Sequence, residues 1–210
     1  MFKAIRVKSR AEFDWLIDHL TTEVYRVRDN WEAWKTIDEA AKTHVRELTQ
    51  TPGFWELTKQ AHKDAVVLRL GRLYDPHPTA TSLGNLLQTL RENMTRSGTS
   101  FPAAITNIRA ADIDKDIAKV SNAEAAIEKL LALRNEYLAH RGTRHVTKGS
   151  YAALPTLNAK EISGLILKGI RLMSKYRECL GYRTVGWGHH ERQEFRVLLK
   201  LLRTGLRSRR

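Results

Sequence analysis

The sequence predicts an all-α protein, a bundle of about five or six helices. Apolar residues recur at three- and four-residue spacing along most of the 210-residue chain. Only five prolines and twelve glycines interrupt it, and long stretches contain neither. No stretch alternates apolar and polar residues as a half-buried strand would, and no repeat or linker separates two cores. With 42% hydrophobic residues the chain can fill a core, which excludes global disorder.

The first helix is expected to start at Ser9, a good cap with Glu12 three positions on, and to bury Phe13, Leu16, Ile17, Leu20 and Val24. A second helical stretch carries Trp31, Trp34, Ile37, Ala41, Val45 and Leu48. Trp15, Trp31, Trp34 and Trp55 resemble a base-stacking set, but their helical spacing favours packing in a core or interface. Thr51-Pro52 opens a long helix that Asp75-Pro76 stops. Ser82 caps a short helix, and residues 95–121 read as a long loop insertion with at most one short helix. Ser121 or Asn122 then caps a helix with Ile127, Leu130, Leu131 and Leu138 on its buried face, ended by Gly142. Asn158 and Glu161 form a capping box for the next helix. A basic amphipathic helix closes the sequence, with Phe195, Leu198, Leu199 and Leu202 on one side.

The net charge is +13, and its distribution is uneven. From Lys160 onward there are thirteen Lys and Arg against four Glu, a balance of +9. Such a field suits nucleic acid, an anionic surface or an acidic partner protein, and equally a solubilising surface. The single Cys179 excludes an internal disulfide and a multi-cysteine metal cluster, and fits a reducing cytoplasm. No apolar run approaches the ~20 residues needed to cross a bilayer, and "MFKAIRVKSRAEFDW" is unlike a signal peptide. A soluble cytoplasmic protein without membrane association is the expectation.

The chemistry-bearing stretch is "LRNEYLAHRG", residues 133–142. It sets Arg134, Asn135, Glu136, Tyr137, His140 and Arg141 into an otherwise apolar helix. Histidine moves protons near neutral pH, and the planar fork of arginine stabilises phosphorane oxygens. Together they suit cleavage of RNA, which brings its own 2′-hydroxyl nucleophile. Glu136 is four residues from His140 and can orient the imidazole. Arg134 and His140, six apart, diverge by about 120° and ~9 Å on a regular helix. Either the helix loosens near 139–142, or a second copy of it supplies partners across a two-fold axis. No acidic cluster for magnesium ions, HExxH pattern or phosphate-cradling Gly-rich loop is present, and no metal or cofactor is expected. On spacing alone, a solvated helix end carrying cations explains the pattern as well.

This motif resembles the signature of the HEPN superfamily, helical nucleases marked by an arginine, a polar follower and a histidine. Arg134, Asn135 and His140 match those positions. "DAVVLRLGRLYDPHPTATSLGNLLQTL" is similar to the helix–turn–helix that precedes the motif in the abortive-infection branch (Abi U-type), so the likeness spans roughly residues 54–142. The resemblance implies a homodimer whose facing motif helices form a composite RNA cleft. Arg134 would hold the phosphate, His140 would move protons, and Glu136, Tyr137 and Arg141 would support them. Arg69, Arg72, Arg144, Lys200, Arg203 and Arg207 are candidate RNA-binding cations. The expected organisation is N-terminal helices at 1–50 packing on the bundle, a HEPN-like core at 51–185 and a basic helix or tail at 186–210.

Three readings stay open. The first is a metal-independent endoribonuclease of phage defence or toxin type, with RNA as partner and an antitoxin or partner protein as a further contact. The second is a non-catalytic basic helical module that binds nucleic acid or a partner protein. The third is a structural helical protein whose last helix docks on a partner or membrane surface.

Overall fold

The computed structural model describes residues 2–95, 108–121, 124–135, 156–183 and 190–208. Among them lie eight helices and no strand. They are α1 (Arg10–Thr43), α2 (Val45–Leu48), α3 (Pro52–Leu73), α4 (Leu83–Thr95), α5 (Ala110–Val120), α6 (Ala125–Leu133), α7 (Ala159–Cys179) and α8 (His190–Arg207). They form two compact units. One comprises residues 1–25 and 67–185, the other 26–66 and 186–210.

The helix starts follow local chemistry. The Ser9 hydroxyl accepts from the Glu12 N–H at 3.2 Å, and the Glu12 carboxylate accepts from the Lys8 N–H at 2.6 Å. Pro52 occupies the first position of α3, where its missing N–H has no intrahelical partner to lose. Asn158 and Glu161 make the expected reciprocal box at α7. The first expected stretch and the second as far as Ala41 are instead joined in α1, 34 residues long, while Val45 and Leu48 lie in α2. The joining segment "RVRDN", residues 26–30, is polar but holds neither Gly nor Pro, so nothing forces the helix to break. The one short helix expected within residues 95–121 is α5, 11 residues long, which buries Ile113 and Val120 completely. Ser121 does not cap α6: its hydroxyl donates to the Ala118 carbonyl at the end of α5, and α6 begins after Glu124. Asn122 and Leu138 lie outside the described residues.

In the first unit the apolar stripe of α1 (Phe13, Leu16, Ile17, Leu20) is buried, as are Leu70 and Leu73 of α3 and Leu86, Leu87 and Leu90 of α4. Tyr74 is buried with its hydroxyl donating to the Leu165 carbonyl of α7 at 2.7 Å, and burial pushes its pKa well up. The extended N-terminal segment is held by α4. Asn85, fully buried, accepts the Lys3 N–H at 2.9 Å and donates to the His77 and Ala80 carbonyls at 2.8 and 2.7 Å. Trp15 departs from the packing expectation: it is 62% exposed. Its position on α1 falls beside, not on, the buried stripe.

In the second unit Trp31 and Trp34 stack at 4.7 Å. Trp55 meets Phe195 edge-on at 5.6 Å, in a core with Ala40, Leu48 and Leu199. The inner stripe of α8 is Phe195, Leu199 and Leu202. Leu198, expected on that stripe, is 41% exposed because it falls a quarter-turn away from Leu199.

One buried charge carries a testable consequence. Asp116 of α5 is 3% exposed and accepts from Lys119 Nζ at 2.8 Å, Lys175 Nζ at 2.5 Å and the Tyr176 hydroxyl at 3.0 Å. Burial pushes the carboxyl's pKa up, but the three donors outweigh it and hold it below its ordinary value. Because the folded pKa is the lower one, the carboxylate stabilises the fold at neutral pH. That contribution fades as pH falls from the unfolded value of about 3.9 through the folded one. Urea unfolding between about pH 5 and pH 2 should show a steeper loss of stability for wild type than for Asp116→Asn. At neutral pH the variant should be weaker by about 2 kcal/mol.

Candidate active site

Arg134 follows the last residue of α6, where the backbone widens into a π turn over residues 134 and 135. Its guanidinium is turned onto the C-terminal end of α3. Nη1 donates to the Gly71 carbonyl at 2.8 Å and to Asp75 Oδ2 at 2.7 Å, and Nε donates to Asn135 Oδ1 at 2.9 Å. The arginine side chain is 17% exposed and that of Asp75 21%. This is a charge-assisted clamp in a partly desolvated place, stronger than a surface pair. Asp75 is itself fixed, because its Oδ1 accepts the His77 N–H at 2.9 Å in the turn after α3.

The approach requires glycine at position 71. A Cβ there would lie 2.4 Å from Arg134 Cδ and 3.1 Å from Cγ, well inside contact distance. Gly71 and Asp75 are the residues that reading the sequence missed. Both carried a signal: a glycine inside a strongly helical apolar pattern marks close packing, and Asp75 sits at the proline-enforced helix stop. What the sequence did not show was that either faces residue 134.

Of the site residues expected from sequence, Arg134 and Asn135 are therefore adjacent and hydrogen-bonded. Glu136, Tyr137, His140, Arg141 and Arg144 lie outside the described residues. Arg69 gives Nη1 to both carboxylate oxygens of Glu23, at 2.8 and 2.7 Å. Arg203 pairs with the buried Glu47 at 2.7 Å, and that guanidinium holds the Glu47 pKa below its ordinary value. Arg72, Lys200 and Arg207 are exposed. His62 Nδ1 donates to Asn30 Oδ1 at 2.9 Å, and burial lowers the imidazole's pKa. Among the described residues no cluster of three or more His, Cys, Asp or Glu is arranged to hold a metal ion, and no helix is long and apolar enough to cross a membrane.

A family model of HEPN type, described as AbiU2, matches residues 10–198. The chain belongs to the HEPN AbiU2 family. Membership makes it an abortive-infection type HEPN domain, and the all-α architecture agrees with it. The match takes in every helix from α1 to α7, including the clamp of Arg134, Gly71 and Asp75. Neither curated proteins nor solved structures gave a match.

The clamp predicts an unusual mutant cycle. Gly→Ala inside a helix ordinarily stabilises by up to about 1 kcal/mol through propensity. Here overpacking against Arg134 costs about 1–3 kcal/mol and should win, so Gly71→Ala should lower the urea midpoint. In an Arg134→Ala background the obstruction is gone, and the same substitution should raise it. Gly71→Ala destabilising both backgrounds equally would mean that Arg134 does not occupy the space over residue 71.

Proposed function

We propose that this HEPN domain is a metal-independent endoribonuclease of phage-defence or toxin type, acting as a homodimer. The observation that carries the reading is the held guanidinium of Arg134, six residues ahead of His140 in the stretch that resembles the HEPN motif. A clamp on Nη1 and Nε leaves Nη2, which has no partner among the described residues, as the edge offered to a phosphate. Fixing the fork beforehand reduces the ordering cost of stabilising charge that develops in the transition state.

In the proposed reaction His140 takes the proton of the RNA 2′-hydroxyl, and the freed oxygen attacks the adjacent phosphorus. Arg134 stabilises the charge gathering on the equatorial oxygens. The bond to the 5′ oxygen breaks, that oxygen receives a proton, and a 2′,3′-cyclic phosphate and a 5′-hydroxyl end result. Asn135 buttresses the arginine and presents its amide N–H groups to the sugar–phosphate. On a regular helix Arg134 and His140 would point about 120° apart, and in the proposed dimer a second copy of the motif helix supplies the missing partner.

RNA incubated with the purified protein in EDTA should be cut. His140→Ala and Arg134→Ala should each lower the rate by about 100-fold or more. Cleavage that survives in both variants, or that needs magnesium, would sink the mechanism. The commitment of Arg134 to Asp75 also favours a second reading, a non-catalytic RNA-binding module in which the arginine is structural. RNA binding that weakens with salt, without any cleavage, would select it.

The composite site makes oligomeric state a separate test. Light scattering should give twice the chain mass at micromolar concentration, and mixing His140→Ala with Arg134→Ala protein should restore part of the activity if each chain supplies one group. A strict monomer that still cleaves RNA would exclude a two-chain site.

A further inference from the structure

The exposed Trp15 stands one turn before His19 on α1, and the two rings stack at 4.9 Å between centroids with 11° between their planes. His19 also lines a cleft of about 270 Å³, shared with Glu23, Arg72, Asp75 and Thr81. The cleft has a definite charge. Glu23 is neutralised by Arg69 and Asp75 by Arg134. Arg72 is exposed and has no ion pair among the described residues, so the cleft offers one uncompensated cation. An aromatic face near an exposed arginine is the chemistry that single-stranded nucleic acid uses, with a base on the ring and a phosphate at the cation. The cleft is too small for a duplex.

We propose that Trp15, His19 and Arg72 form a subsite for unpaired RNA, with a base stacked on the indole face turned away from His19 and a phosphate of the same strand held by Arg72. His19 holds the indole flat and joins platform to cleft. Asp75 is common to the cleft and to the Arg134 clamp, so the subsite seats a nucleotide neighbouring the one at the proposed scissile phosphate. The proposal rests on the ribonuclease reading for its role in turnover, but the binding it describes is measurable without cleavage.

The test uses the full chain carrying His140→Ala, so that bound RNA persists, and two fluorescent probes: hexaadenylate and a ribose–phosphate strand of equal length without bases. Trp15→Leu should weaken hexaadenylate binding about tenfold and leave the baseless strand unaffected, whereas Trp15→Phe should retain most of the affinity. Arg72→Ala should weaken both strands and flatten the salt dependence by about one counterion. Unchanged affinity in Trp15→Leu, equal loss on both strands, or no binding of either probe would overturn the subsite. A fall in molecular mass for Trp15→Leu would overturn it too, by making Trp15 a contact between copies. Because binding is read in a cleavage-deficient chain, these results fail or hold independently of whether wild type cuts RNA in EDTA.

Discussion

A continuous line of polar contacts organises the first unit, and it starts at one guanidinium. Arg134 donates to Asp75, Asp75 accepts from the His77 backbone, the His77 carbonyl accepts from Asn85, and Asn85 accepts from Lys3. The end of α6, the end of α3, the turn after it, the start of α4 and the N-terminal segment are thereby tied through five residues. Asn85 is fully buried, so a break there leaves polar atoms with no water to replace the lost partner. Networks of this kind specify one arrangement because a half-satisfied version is worse than an apolar one.

The helices were legible in the sequence because periodicity and capping are local. Ser9, Pro52, Ser82 and Asn158 each act within a few residues of themselves. Errors arose where a local cue was weak or had to be weighed against distant packing. The segment at 26–30 is mostly polar, yet its Val27 is buried and it holds neither Gly nor Pro, so the helix runs through it. Trp15 and Leu198 sit one residue off a buried stripe, a difference of a quarter-turn that reverses inside and outside. The one short helix expected within residues 95–121 is α5, whose bounds were hard to see because its flanks are small and irregular, though Ile113, Asp116 and Val120 recur at helical spacing and are all buried.

The site was legible to the extent that chemistry had to be unusual to be noticed. An arginine and an amide in an apolar helix announced themselves, and the family match spans them. Their supports did not. Gly71 and Asp75 are separated from Arg134 by 63 and 59 residues, and no spacing rule connects positions that meet only after three helices have packed. The family match also begins at residue 10, well before the stretch where the motif resemblance was visible. The buried stripe of α1 accounts for that, since a helix whose apolar face fills the same unit's core is part of the domain even when it carries no signature.

The pairing of Arg134 with Asp75 has a consequence for how an RNA would meet this protein. A guanidinium already balanced by a carboxylate presents a dipole rather than a bare charge, and its field falls off within a few ångströms. It can stabilise a phosphate that arrives, but it does little to bring one in. On the proposed reading, long-range capture falls to exposed cations without an ion pair among the described residues, Arg72, Lys200 and Arg207 among them, while the balanced arginine acts at contact. Ionic strength would then govern how often substrate is found and leave the chemical step nearly untouched, so that encounter and turnover answer to different parts of the same charge distribution.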